Sequence, residues 1–289
     1  LGTASPDIDS DVIELAKAAG RARDNLVVVC KPRDAKLFKS FDLEVHRAPD
    51  RIRSERSRRW WIDWGLPRIA RSVGASVIHS PHGVFPVLTS IPRVVGIRQS
   101  SGPNDRARRL ARTVRTDVTV PTQSIADEFR ESTNLPANRV HVAHLGVDKE
   151  RTAIPSWESV ESIGDIYGIS EWVAVVAAPG DASATLAFRD GFRQATEFSG
   201  HTPTLIVLGL PEPAALEHFA ELIDGGFDIR IVSGIDNDER SAILGGALIS
   251  VILDDSHETG RALIDALACG ATVLTRHIPA LSEIGSDAV

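Results

Sequence analysis

Residues 11–23 (DVIELAKAAGRAR) put Val12, Leu15, Ala16 and Ala19 on one helical face, and LVVVC at 26–30 is a short apolar run of the kind a buried strand needs. The same alternation continues along the first half. LPRIARSVG (66–74) reads as helix, SVIH (76–79), RVVGI (93–97) and DVTVP (117–121) as strands, SIADEFRES (124–132) as helix and RVHVA (139–143) as strand. After LGVDKERTAIPS (145–156) the pattern restarts with strand WVAVVAA (172–178), a helix over 187–198, strand TLIVLG (204–209) and a helix over 214–223. Strand DIRIVSG (228–234), a helix over 238–245, strand LISVIL (248–253), a helix over 261–268 and strand ATVLT (271–275) complete it. Strands alternating with helices predict right-handed crossovers and parallel sheets. The restart predicts two doubly wound units, residues 1–150 and 151–289, joined near 148–156. Ligands of such sheets bind at the carboxyl ends of the strands, so a cleft between the units is the expected site.

Composition narrows the class. With 43% hydrophobic and 25% charged residues, the 289-residue chain is an ordinary globular protein large enough for two cores. No apolar run reaches the roughly 18–20 residues of a membrane span, and the first residues carry neither a basic leader nor an apolar core of a signal sequence. Cys30 and Cys269 form no metal-binding or disulfide framework, which fits a reducing cytoplasm. Charge is uneven: residues 1–150 hold 25 Lys+Arg against 18 Asp+Glu (+7), and residues 151–289 hold 7 against 21 (−14), summing to −7. The chain contains no methionine. That is abnormal for this length, and it raises the expectation that modified methionines are missing from the sequence as written.

Three stretches of the first half, ASVIHSPHGVFPVLTSIPRVVGI (75–97), VTVPTQSIADEF (118–129) and NRVHVAHLGVD (138–148), resemble the amino-terminal domain of glycosyltransferase family 4. In the second half GIDNDERSAILGGALISVILDDSHETGRALIDALACGATVLTRHIPALSEIGSDAV (234–289) is similar to the family's donor-site region, with its "EAxACG" and closing "G-x-x-E". The resemblance implies an α/β fold of the GT-B type: two Rossmann-like, doubly wound parallel-sheet domains facing across a cleft. The first is the acceptor-side domain and the second the nucleotide-sugar domain. It also implies that most of a first strand precedes residue 1 and that the second domain is truncated at its carboxyl end.

By the same resemblance, two carboxylates grip the donor. Glu258 orients the sugar, Asp265 the ribose, the Gly260 and Arg261 amides hold the diphosphate, and Ile231 and Val232 lie beside the base. A carboxylate can accept two hydroxyl hydrogen bonds, and a helix amino end offers free N–H groups to phosphate. The family separates its carboxylates by seven residues, whereas six lie between Glu258 and Asp265. One methionine lost between Thr259 and Gly260 would restore the spacing. His82 and, more weakly, His79 in HSPHG are candidates at the strand ends of the first domain, set against ordinary structural roles for both. The implied activity is a retaining transfer of sugar from a nucleotide-diphosphate sugar to a hydroxyl of a sugar, lipid or small-molecule acceptor, with no cofactor and no metal.

Two departures keep other classes open. The basic pair that the family uses against the leaving diphosphate is absent from APGDASATLAF (178–188), and the family's "HD" is here Arg98-Gln99, which makes Arg98 a replacement cation. The alternatives are a catalytically silent GT-B protein that binds a sugar nucleotide or partner, and a sugar-nucleotide epimerase. RIRSERSRRWWIDW (51–64) joins five arginines to Trp60, Trp61 and Trp64. This composition suits peripheral contact with the inner face of a membrane through Arg51 to Trp64; the other expectation is a solvated arm whose tryptophans pack under the next helix. Nucleic acid is not an expected partner, because no recognised module accompanies the basic half.

Overall fold

The structure is a computed structural model, and it describes residues 6–288 apart from 23–24, 51, 53, 82, 98–114, 148–151, 178–181 and 254–259. The chain divides into two compact units, Leu1–Pro121 with Ile125–Ala143, and Thr122–Ser124 with His144–Val289. Among the described residues no helix is long and apolar enough to cross a membrane.

The first unit runs α1 (Pro6–Ala22), β1 (Val27–Cys30), α2 (Ala35–Ser40), β2 (Glu44–Arg47), α3 (Glu55–Trp60), a π-helical turn (Trp61–Gly65) and α4 (Leu66–Ser72). It continues through β3 (Ile78–Ser80), β4 (Arg93–Gly96), β5 (Thr116–Val120), α5 (Gln123–Thr133) and β6 (Val140–Val142). β1 pairs with β2, and β3-β4-β5-β6 form a second sheet in chain order; every pairing is parallel. Val95, Val118 and Val120 meet Ile125, Ala126 and Phe129 of α5 in the core of the larger sheet. Arg93, also buried, donates through Nη1 to the Pro86 carbonyl at 2.8 Å, so its charge is not left in apolar surroundings without a hydrogen bond.

The second unit contains α6 (Trp157–Tyr167), β7 (Trp172–Val176), α7 (Ala182–Ser199), β8 (Thr204–Leu208), α8 (Glu212–Asp224) and β9 (Ile229–Val232). It ends with α9 (Asn237–Gly246), β10 (Ile249–Ile252), α10 (Arg261–Ala268), β11 (Val273–Thr275) and α11 (Pro279–Gly285). Its parallel sheet has the order β11-β10-β7-β8-β9. Period-two alternation splits the buried strands between two cores. Trp172, Ala174, Val176, Ile206, Leu208 and Ile252 enter one; Val173, Val175, Leu205, Val207 and Val251 enter the other. Both faces therefore need helices, which is what doubly wound means physically. Helix ends are marked locally: the Ser156 side chain accepts the Ser159 N–H at 3.2 Å, Asp236 accepts that of Glu239 at 2.8 Å, and Gly168 closes α6 at φ 66°.

Candidate functional site

In the second unit the chain leaves β7 toward β8 and β9 on one side, then crosses back to β10 and β11 on the other. β7 and β10 are thus adjacent strands whose crossovers depart in opposite directions, the point at which doubly wound sheets bind ligands outside their carboxyl ends. Glu258 and Thr259 fall in the segment after β10 and lie outside the described residues, so the expected gap at Thr259–Gly260 also lies outside them.

Gly260 itself is buried and left-handed, at φ 64°, immediately before α10. The left-handed backbone calls for glycine, and a Cβ there, 2.3 Å from Ile284 Cδ1, would also have to displace the end of that side chain. Its carbonyl accepts the Ile264 N–H at 2.9 Å, which starts α10. Leu263, Ile264 and Ala266 are buried, Ala262 packs beside the same core, and the first turn is fixed against the sheet.

On one flank of α10, Arg261 and Asp265 stand one turn apart, both largely buried. Arg261 Nε lies 3.0 Å from Asp265 Oδ1, with side-chain exposures of 15% and 16%. Arg261 Nη1 also donates to the Gly146 carbonyl at 3.3 Å, within the LGVD segment. The guanidinium is therefore held at the amino end of the helix. The sequence pattern assigned only the amide of this residue; the i, i+4 spacing to Asp265 was the signal for its side chain.

Ile231 and Val232 sit on β9, the edge strand two places from β7. Val232 is buried in one core and Ile231 packs against the other, because period-two alternation turns successive side chains of the strand to opposite faces of the sheet.

In the first unit His82 and Arg98 lie outside the described residues. Their neighbours show how the two segments are held. A Cβ on Gly96 would come within 2.7 Å of the Pro81 carbonyl oxygen, so the loop after β3 crosses tightly over the end of β4. The Ser80 hydroxyl donates to the Val84 carbonyl across the same loop. His79 lies on β3, and desolvation lowers its pKa, favouring a neutral ring even though much of the residue still meets solvent. Among the described residues no group of three or more His, Cys, Asp or Glu side chains is arranged to hold a metal ion.

The Glycosyltransferase Family 4 model matches residues 11–151, just under half of the chain. Over those residues the chain is similar to glycosyltransferase family 4. No curated protein matches the sequence significantly. Among solved structures, a glycosyltransferase from Rickettsia africae is similar with a TM-score of 0.73 at 12% identity, over 96% of this chain and 78% of that one. Anabaena HepE in complex with UDP and glucose gives 0.68 at 13%, over 96% and 79%. A UDP-GlcNAc 2-epimerase from Neisseria meningitidis bound to UDP-GlcNAc gives 0.55 at 12%, over 92% and 79%. The fold is GT-B, and family and fold together support a glycosyltransferase.

Proposed function

We propose that the chain moves a sugar from a nucleotide-diphosphate sugar to an acceptor hydroxyl with retention of configuration, the hydroxyl attacking on the face from which the diphosphate leaves. Residues 151–289 act as the donor domain and residues 1–150 as the acceptor-side domain. The observation that carries this reading is the start of α10: a buried left-handed Gly260, the amino end of a helix, and an Arg261–Asp265 pair, all following the strand beside the switch point. In this assignment the Gly260 and Arg261 N–H groups hold the diphosphate, Asp265 accepts ribose hydroxyls, and Glu258 orients the sugar. The Arg261 guanidinium supplies positive charge where 178–188 has neither Arg nor Lys. His82 and Arg98 are the candidates in the first domain. The reading assigns no metal.

The missing basic pair favours a second reading, a GT-B protein that binds a sugar nucleotide without transferring it; the fold likeness to an epimerase keeps that class as a third. One assay separates them. The chain is incubated with UDP-glucose or UDP-GlcNAc, with and without a panel of sugar and lipid acceptors, and nucleoside diphosphate release and sugar configuration are measured. Release that requires an acceptor supports transfer. Binding without release supports the silent protein, and a changed sugar without acceptor supports the epimerase.

A further inference from the structure

α3, the π-helical turn and α4 form one uninterrupted helical run over 55–72. Its inner side is built into the first unit: Trp61 and Ile62 are buried with Ala48, against Val29, Ile52, Leu66, Ile69 and Val84. Its outer side carries Arg56, Trp60, Trp64, Arg68 and Arg71, all exposed, with Trp60 at 67% and Trp64 at 58%. In an α-helix four residues overshoot one revolution, so a stripe spaced by fours drifts around the axis. A π turn closes i→i+5 and takes more residues per revolution, so the step from Trp60 to Trp64 falls short and cancels part of the drift. The π turn thereby keeps the cations and the two indoles in one line.

Of the two acids in this run, Glu55 begins it and Asp63 is turned away from that line. Asp63 Oδ1 accepts the Val87 N–H at 2.9 Å, its side chain is 19% exposed, and Oδ2 lies 4.0 Å from Arg59 Nε. Next to that contact Leu88 is 56% exposed, adding apolar surface. Folding thus leaves two large amphipathic rings in solvent, flanked by arginines.

We propose that this face is a membrane-docking surface that lies flat on a bilayer with anionic headgroups. Trp60 and Trp64 enter the boundary between headgroups and acyl chains, and Arg56, Arg68 and Arg71 meet the lipid phosphates. Indoles favour that boundary because one edge is polar and the body apolar, and basic amphipathic helices bind there through apolar burial and charge together. The surface is a convex helix side with no groove, which suits a planar, deformable partner better than a single nucleic-acid strand, whose binding proteins track it in a charged groove. The proposal is independent of the transfer reading, since docking and catalysis can each fail alone.

The test is flotation of the full chain with vesicles of phosphatidylcholine alone and of phosphatidylcholine with phosphatidylglycerol. The variants are Trp60→Ser/Trp64→Ser, Arg56→Gln/Arg68→Gln, and Trp157→Ser as a control that removes an exposed indole of the second unit. The expected result is flotation only with phosphatidylglycerol, weakened by salt, reduced about tenfold or more in both double variants and unchanged in the control. Thermal unfolding of each variant is measured alongside; if the tryptophan pair alters the fold, the arginine pair carries the decision. No flotation with anionic vesicles, flotation indifferent to both double variants, or binding to an RNA or acidic protein but not to vesicles would overturn the proposal.

Discussion

At residue scale the proposed donor site rests on a few positions at the start of α10. Gly260→Ala forces a Cβ into a left-handed backbone and onto Ile284, so it is expected to cost about 1–3 kcal/mol in a denaturation midpoint experiment and to weaken nucleotide-sugar binding as well. Arg261→Ala removes a cation placed at the helix amino end; its expected signature is a loss of about tenfold or more in affinity for UDP-glucose together with a lowered melting temperature, because the Arg261 and Asp265 side chains are only 15% and 16% exposed and removing one partner of a largely buried pair is destabilising. Tyr167 offers a clean titration, since it is the one tyrosine in the chain. Its hydroxyl donates to Glu239 at 2.7 Å, and desolvation, then this hydrogen bond and the carboxylate charge, raise its pKa from 10.0 to about 12. The folded value lies above the unfolded one, so the stabilising contribution is complete below pH 10 and is lost as pH rises through about 12. Ultraviolet absorbance should show phenolate appearing late in the native protein and earlier in Glu239→Gln. An ordinary midpoint in both would remove the proposed coupling between α6 and α9.

At the scale of elements, legibility followed burial. WVAVV and TLIVL are central strands buried on both faces, and their continuous apolar runs announced them. β2 is EVHR, half-buried and charged, and offered no run to read; α6 is WESVESIGDIY, where Ile163 is the buried residue, so its stripe was too narrow to register. The helical run over 55–72 was read only from 66 because a π turn breaks the apolar spacing across Trp61–Gly65. Its tryptophans divide between the two expectations for them: Trp61 packs inward, while Trp60 and Trp64 face solvent. Trp61→Ala is therefore expected to destabilise the first unit by about 3–5 kcal/mol, whereas Trp60→Ala should change stability by less than about 0.5 kcal/mol, both read by chemical denaturation. The start of α10 was legible from its motif, but the tuck of Val232 into the core was not, because the facing of an edge strand depends on its neighbours.

For the whole molecule, two parallel-sheet units and the matched family support a glycosyltransferase, and the account stands on one claim: the amino end of α10 is where a nucleotide-diphosphate sugar is gripped. The crossover that separates β7 from β10 creates that position, and Gly260, Arg261 and Asp265 give it shape and charge. Calorimetric titration of the chain with UDP-glucose, UDP-GlcNAc and the corresponding GDP and ADP sugars tests it most directly, run beside Asp265→Ala and, as a control on the far surface, Glu197→Ala. The account predicts saturable binding of at least one donor, weakened about tenfold or more by Asp265→Ala and untouched by Glu197→Ala. Binding of no nucleotide sugar, or binding that Asp265→Ala leaves unchanged, would contradict it.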